Sequence, residues 1–376
     1  MAIKVQHHAP EHTPQVEAFN ARMKAGGSKW GFYPDPVPDW LADTDNNRTW
    51  REFFLALEED GVVRGGYGLK PQLWKIRDKT EWVTDWQGPF SEADIDVKYS
   101  PLMLSLLRGM LKKYPLLFSL GHGGTEEPIV NMLRKMKWGL RGIPFVFNII
   151  HPFAFLRRNR YLRTSPARRF ALDILAFTGA GFISIKLMQM FNKFRYRAQR
   201  ASLTTEVVSE FGPLADSLWE QNKDAYNCLA VRDREMMNTL MPQEGWPGGT
   251  RLKLTSSTGE VVGWAIVHDK KLTDDARFGS MHVGLITDFF GAPDDAASIM
   301  AATHAYLVSQ KVDMIFANIS HPAWIKGLQS NGYTVLADRR IFALSPQLDE
   351  ALSPKSTIAQ GLHLTNMDGH GPHGFQ

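Results

Sequence analysis

The chain runs to 376 residues, 44% apolar and 22% charged, with one cysteine; that composition excludes a disordered, collagen-like or disulfide-stapled protein and suits two globular domains with connectors. Cys228 alone forms no intramolecular bridge and excludes C-x-x-C zinc and redox motifs, so a cytoplasmic protein is expected. The net charge of +4 joins two unlike parts: residues 157–200 hold eleven Lys/Arg against the single acid Asp173, and the remainder is acidic, which speaks against a nucleic-acid partner.

The opening MAIKVQHHAPEHTPQ has no apolar h-region, so no secretory signal peptide is expected there. The proline-rich YPDPVPDW and the tryptophans Trp30, Trp40 and Trp50 read as an extended N-terminal lid. Residues 53–57 (FFLAL) and 62–69 flank Asp60-Gly61, a hairpin signal. An extended segment over 81–86, a helix over 102–113, a short apolar strand over 116–120 and a helix from about Glu126 follow.

The connector comes next. Residues 174–185 (ILAFTGAGFISI) are uncharged but number only 12, where a bilayer span needs about 20. Three readings stay open: a buried helical hairpin between domains, a peripheral membrane patch with basic flanks, or a true span.

Beyond it the first pattern returns. Residues 251–255 and 261–267 flank Thr258-Gly259, and an extended segment over 281–290, a helix over 294–310, a strand over 314–319 and a helix near Pro322 follow. Gly61 to Gly259 is 198 residues, His122 to His321 is 199 and Trp138 to Tyr333 is 195, so the order β-β-β-α-β-α is a tandem duplication. The expected organisation is an N-terminal domain with its lid over 1–150, a basic, apolar helical connector over 151–205, a C-terminal domain over 206–348 and a Gly/His-containing tail over 349–376. The fold class is α/β (α+β), with mixed sheets covered by helices on both faces.

The hairpins EDGVVRGGYGL and GEVVGWAIV, with the endings SLGHGGTEEPIVNMLRKMKW and VDMIFANISHPAWIKGLQSNGYTV, carry a likeness. On these residues the chain resembles the GNAT (GCN5-related N-acetyltransferase) acyltransferase superfamily, specifically its tandem-domain members, over roughly residues 50–150 and 210–345. The resemblance implies two GNAT-like domains in which an acyl thioester lies in the V where two parallel strands splay. An amine then attacks directly, served by a base, oxyanion donors and an acid for the thiolate. Two family features are missing. The Gln/Arg-x-x-Gly-x-Gly/Ala phosphate loop is replaced by DIDVKYSPLML and FFGAPDDAASI, and Asp294 and Asp295 would repel a diphosphate at the second helix start. The tyrosine that protonates the thiolate is replaced by Leu133 and Leu328.

The first half is therefore expected to hold the donor, with Lys98, Tyr99, Ser100, Gly121 and Gly123 as cofactor-binding residues. Glu92 and Asp96, alternating with Asp94 in SEADID, and His122 are the catalytic candidates; the plainer reading of SEADID is a solvated loop. In the second half Asp288, Asn318, His321 and Trp324 form a candidate acceptor pocket, or else a buried structural cluster. The tail residues His363, Asp368, His370 and His373 are metal-capable types in one Gly-rich segment, where no metal site is expected.

Two functions remain. The first is an N-acyltransferase moving an acyl group from acyl-CoA or an acyl carrier protein to an amine of a small molecule or cell-envelope precursor. An acidic carrier protein or an anionic membrane surface would meet residues 157–200, placing the chain in the cytoplasm or against the inner membrane face. The second is a non-catalytic scaffold of the same fold, peripherally membrane-associated. Transfer from aminoacyl-tRNA sits poorly with the acidic balance of both domains.

Overall fold

Gly61 and Gly259 both adopt left-handed backbone (φ 81° and 85°), and each closes an antiparallel hairpin as the sequence pattern requires. The structure, a computed structural model, describes residues 3–38, 40–42, 48–121, 126–242, 248–353, 361–369 and 371. In chain order, β1 (Ile3–His7), α1 (Thr13–Ala25), β2 (Glu52–Glu58), β3 (Val63–Ile76), β4 (Lys79–Ser91), α2 (Ser100–Lys113), β5 (Leu117–Gly121), α3 (Pro128–Lys135) and β6 (Gly139–Ile149) lead into three helices. These are α4 (Pro152–Arg158), α5 (Pro166–Phe177) and α6 (Ala180–Arg195). Then come β7 (Thr204–Val208), α7 (Pro213–Asn222), β8 (Cys228–Ala230), α8 (Arg234–Leu240), β9 (Thr250–Thr255), β10 (Val261–Lys271), β11 (His282–Gly291), α9 (Ala296–Ser309), β12 (Met314–Asn318), α10 (Pro322–Ser330), β13 (Thr334–Leu344), α11 (Pro346–Ala351) and β14 (Leu362–His363). The expected β-β-β-α-β-α order is present twice. Each copy also has a leading strand and helix, β1–α1 and β7–α7, and a long closing strand, β6 and β13.

The chain forms two compact units that do not follow the linear division at 150 and 206. One comprises residues 1–141, 239–246 and 341–354; the other comprises 142–238, 247–340 and 355–376. In the first unit the strand order is β1-β2-β3-β4-β5, completed by the end of β13, whose Ile341–Leu344 pairs antiparallel with Gly121–Phe118 of β5. In the second it is β7-β9-β10-β11-β12, completed by β6, whose Phe145–Ile149 pairs antiparallel with Asn318–Met314 of β12. Each half thus lends its last strand to the other half's sheet. Patterning alone does not reveal such an exchange, because an apolar run such as IPFVFNI satisfies either neighbour.

In the first unit, α2 buries Leu102, Leu106, Leu107 and Met110 against Leu69, Trp86, Leu117, Leu133 and Trp138. Each such side chain contributes about 1.5–3 kcal/mol on burial. Ahead of the segment read as a lid, β1 pairs with β2, and Val16, Phe19 and Met23 of α1 pack on Phe53, Leu55 and Val63. The three tryptophans do not cluster: Trp30 is exposed, Trp40 is buried and donates to the Leu240 carbonyl (2.9 Å), and Trp50 faces Trp82 (5.4 Å). The β3–β4 hairpin is far longer than expected, and its turn uses Arg77 at φ 55°, a left-handed position without the glycine that would have announced it. In the second unit Ile149, Phe155, Leu156, Val283, Leu285, Met314 and Phe316 share a core.

Candidate functional site

Parallel pairing is brief at one place in each sheet. β4 and β5 share two ladder pairs, Thr84 with Leu117 and Asp85 with Phe118; β11 and β12 share three, the last being Leu285 with Phe316. Immediately beyond, the antiparallel register on the other side of each strand slips. β4 carries the extra residues of a bulge at Gly88-Pro89 between its pairs with Gly68 and Gly66, and β11 carries Thr287 between its pairs with Val267 and Ile266. A bulge bends its strand and adds local twist, so β4 and β11 turn away from their parallel neighbours at matching points. In the first unit Ser119 Oγ donates to the Trp86 carbonyl (2.8 Å), replacing a ladder bond just past the last pair.

On one face of β3–β4, Lys70 stands directly opposite Asp85 in the register, and both are buried. Directly opposed residues in an antiparallel pair have Cβ atoms about 5 Å apart, so two opposite charges share one buried face beside the end of the ladder. Gln87 Nε2 donates to Asp85 Oδ2 (2.8 Å), and Lys70 Nζ lies 5.9 Å from the centre of the Trp40 ring. On the opposite face the indole N–H groups of Trp86 and Trp138 are buried without a hydrogen-bond partner among the described residues. The sequence reading missed Lys70 and Asp85; the signal is one charge on each of two strands, YGLKPQLW and WVTDWQG.

The first-half candidates lie elsewhere. Glu92 is buried at the end of β4 with both oxygens engaged, by Arg22 Nε (2.7 Å) and Arg64 Nη1 (2.8 Å). It is an ion-pair anchor, not the free base expected. Asp96 is half exposed and caps the turn before α2: the Lys98 backbone N–H and then its ammonium hold the Asp96 carboxyl below the usual range, which makes it a poor base. Lys98 is thereby paired with Asp96, Tyr99 is buried under the Arg64 guanidinium (5.0 Å), and Ser100 opens α2 exposed. Gly121 ends β5 at φ 133° opposite Ile341. His122 and Gly123 lie outside the described residues. The exposed side of α2 carries a groove lined by Pro101, Leu104, Ser105, Arg108 and Lys112, basic and without an acid.

The second unit is built the other way at the corresponding helix start. A cavity of about 320 Å³ there is lined by Glu260 and Asp295. Burial, then Asp294 and Glu260, holds the Asp295 carboxyl above its ordinary range. A diphosphate would meet like charge.

Asp288, Asn318, His321 and Trp324 do converge, but on a closed cluster and not on an open pocket. Tail residues 361–369 occupy the gap between β11 and β12. His363 Nε2 donates to the Phe289 carbonyl (3.0 Å), Ser320 N–H donates to the Leu364 carbonyl (3.2 Å), and Asn318 Nδ2 donates to Asn366 Oδ1 (3.3 Å). Arg232, fully buried, bonds Asp288 and Asp368 through Nη2, each at 3.0 Å, and Thr365 Oγ1 donates to Asp288 Oδ1 (2.8 Å). Burial raises the Asp288 carboxyl despite Arg232. Trp324 Nε1 donates to Tyr226 Oη (3.1 Å), which donates to the Gly291 carbonyl (2.6 Å). His321 sits edge-on to the Tyr226 ring at 5.2 Å, its imidazole lowered to about 4 by burial. The tail is thus an ordered plug over these residues.

No protein-family profile and no curated protein matches the sequence. Among solved structures, a conserved protein of unknown function from Enterococcus faecalis V583, described as a probable N-acyltransferase, aligns over 94% of this chain and 74% of its own with a TM-score of 0.53 at 10% identity. The GCN5-related glucosamine N-acetyltransferase region of a fungal multi-domain β-N-acetylglucosaminidase aligns over 91% of this chain and 38% of its own, with a TM-score of 0.52 at 9% identity. The fold is that of the GCN5-related N-acetyltransferases. Saccharomyces cerevisiae N-myristoyltransferase, solved with bound myristoyl-CoA, is also similar (TM-score 0.49, 7% identity, 92% of this chain and 79% of that one). In the GNAT fold of this chain, the paired strands that stop laddering at a bulge occur once per unit, and one of the two gaps is already filled.

Proposed function

We propose that the chain is an N-acyltransferase that takes an acyl group from a thioester, of coenzyme A or of an acyl carrier protein, to an amine, and that the first unit carries the reaction. The observation that carries this reading is the asymmetry between the two strand gaps: tail residues 361–369 fill the second, whereas the first adjoins the buried Lys70 and Asp85, opposed in the register, and a basic helix groove. In the transfer the amine nitrogen bonds the thioester carbon, the C–S bond breaks, and the amine proton leaves as the thiolate is protonated. Lys70 is the proposed cation for the developing oxyanion and Asp85 the proposed base that takes the proton of the attacking amine; both roles gain strength from exclusion of water. Acceptors carrying a primary amine, including cell-envelope precursors, fit such a carboxylate.

The test is thiol release from a series of acyl-CoA thioesters and an acylated carrier protein, each offered with a panel of primary amines. Amine-dependent release that Asp85→Asn lowers by about a hundredfold or more, in line with loss of a general base, supports the assignment. Release by neither donor with any amine, or full activity in Asp85→Asn, overturns it.

A further inference from the structure

Helix α6 turns its polar side inward. Ile185, Gln189 and Asn192 lie on one face, and Gln189 Nε2 donates to Asn148 Oδ1 (3.0 Å) and the Ile149 carbonyl (2.7 Å), while Asn192 Nδ2 donates to the Tyr333 carbonyl (3.0 Å). The outward face carries Ile183, Leu187, Met190, Phe191 and Phe194, all exposed, Phe194 at 80%. None of the residues of α5 is buried, and Phe170 and Phe177 are 70% and 69% exposed. The connector is therefore not the buried hairpin that was one of its readings. Water-soluble surfaces rarely leave contiguous apolar patches beyond a few hundred Å², and aromatic side chains of about 150–250 Å² each exceed that here with only a handful of members.

Charge and shape select the occupant. Arg168 and Arg169 at the start of α5 and Arg195 and Arg197 at the end of α6 are exposed. The one acid of the stretch, Asp173, is neutralised by Arg163 (2.6 Å) and Arg157 (2.8 Å). The Gly181 backbone allows the tight corner, since a Cβ there would lie 2.4 Å from Leu156 Cδ1. The two helices meet at 79°, and among the described residues no single helix is long and apolar enough to cross a membrane. At 1.5 Å per residue they are about 18 and 24 Å long, short of a core of about 30 Å. An apolar face rimmed by arginine, on two helices each shorter than that core and bent 79° to one another, matches a lipid interface.

We propose that α5 and α6 are an interfacial anchor that lies in the headgroup and upper acyl region of an anionic bilayer, with Ile183, Phe191 and Phe194 in the acyl layer and Arg168, Arg169, Arg195 and Arg197 against the phosphates. It stands independently of the transfer chemistry. The experiment is flotation of the full chain with vesicles of phosphatidylcholine alone and of phosphatidylcholine mixed with phosphatidylglycerol, at low and high salt. Wild type is expected to float with the anionic vesicles and to be released by salt. The Ile183→Ser/Phe191→Ser/Phe194→Ser variant is expected to lose binding about tenfold or more with an unchanged melting temperature, and the Arg168→Gln/Arg169→Gln/Arg195→Gln/Arg197→Gln variant to lose the anionic preference. Wild type that stays at the bottom with both vesicles, a serine variant that floats as well as wild type, or a vesicle-free dimer that the serine variant dissolves would each overturn it, the last by showing a second copy to be the occupant.

Discussion

Asp368, eight residues from the end of the chain, meets Arg232 Nη2 through both carboxylate oxygens at 3.0 Å, in a position where neither side chain touches water. With Asp288 on the same Nη2 and on Nε of the guanidinium, the contact fastens the tail into the second unit's strand gap. It makes that gap part of the hydrophobic and ionic core.

Removing one member of a buried ion-pair set strands the others, at a cost of about 3–5 kcal/mol. Arg232→Ala, which leaves Asp288 and Asp368 facing each other, is therefore expected to destabilise the chain by that amount. Asp368→Asn, which keeps shape and some hydrogen bonding, should cost less. Urea denaturation followed by tryptophan fluorescence measures both. Equal and small effects would show that the tail is not held by this contact.

The same logic applies to Lys70 and Asp85, with a distinct signature. Lys70→Met and Asp85→Leu each remove one of two buried charges that the register sets on one face, and the double variant is expected to lose clearly less stability than the sum of the single losses. Additive losses in the double-mutant cycle would mean that the two side chains do not interact.

Burial pulls the imidazoles of His304 and His321 to about 4. A depressed histidine favours the neutral ring in the folded state, so its contribution is complete above the unfolded value of about 6.5 and is lost as pH falls through that value towards 4. The urea midpoint of the wild type is expected to drop over this window, and His321→Gln to flatten part of the drop. Asp288 acts with the opposite sign: its raised carboxyl contributes below the unfolded carboxylate value and loses that contribution as pH rises through the folded one. Variant and wild type are therefore compared at each pH. Parallel curves would place the acid sensitivity elsewhere.

Gly181→Val tests the corner between α5 and α6. Its side chain would strike Leu156 and approach the Leu175 carbonyl, where a Cβ would lie 3.0 Å away. Overpacking of this kind costs about 1–3 kcal/mol. Faster amide exchange confined to residues 166–195 is expected; unchanged exchange would contradict the tight packing.

The double β-β-β-α-β-α order was legible because its elements carry strong local signals: glycine turns at Gly61 and Gly259 and clean helical stripes such as Leu102, Leu106 and Met110. What stayed hidden was non-local. β1 is an edge strand of only five residues, and the Arg77 turn lacks a glycine. The crossing of β6 and β13 between units leaves no trace in composition. The acids of SEADID looked chemical because they alternate, yet Glu92 and Asp96 are consumed by arginines and a cap. Asp288, Asn318, His321 and Trp324 lie around tail residues 361–369, and a tail that closes over them is invisible to motif reading. Lys70 and Asp85, 15 residues apart, become a pair only through the register of a hairpin.

The account rests on the first unit's strand gap receiving the thioester arm, and photo-crosslinking addresses that most directly. With a diazirine-bearing acyl-CoA, and with the same acyl group on a carrier protein, labelling is predicted in peptides covering β4, β5 and the start of α2, and competed by unlabelled thioester. Labelling confined to the α9 start or to tail residues 361–369, or no competable labelling from either donor, would contradict it.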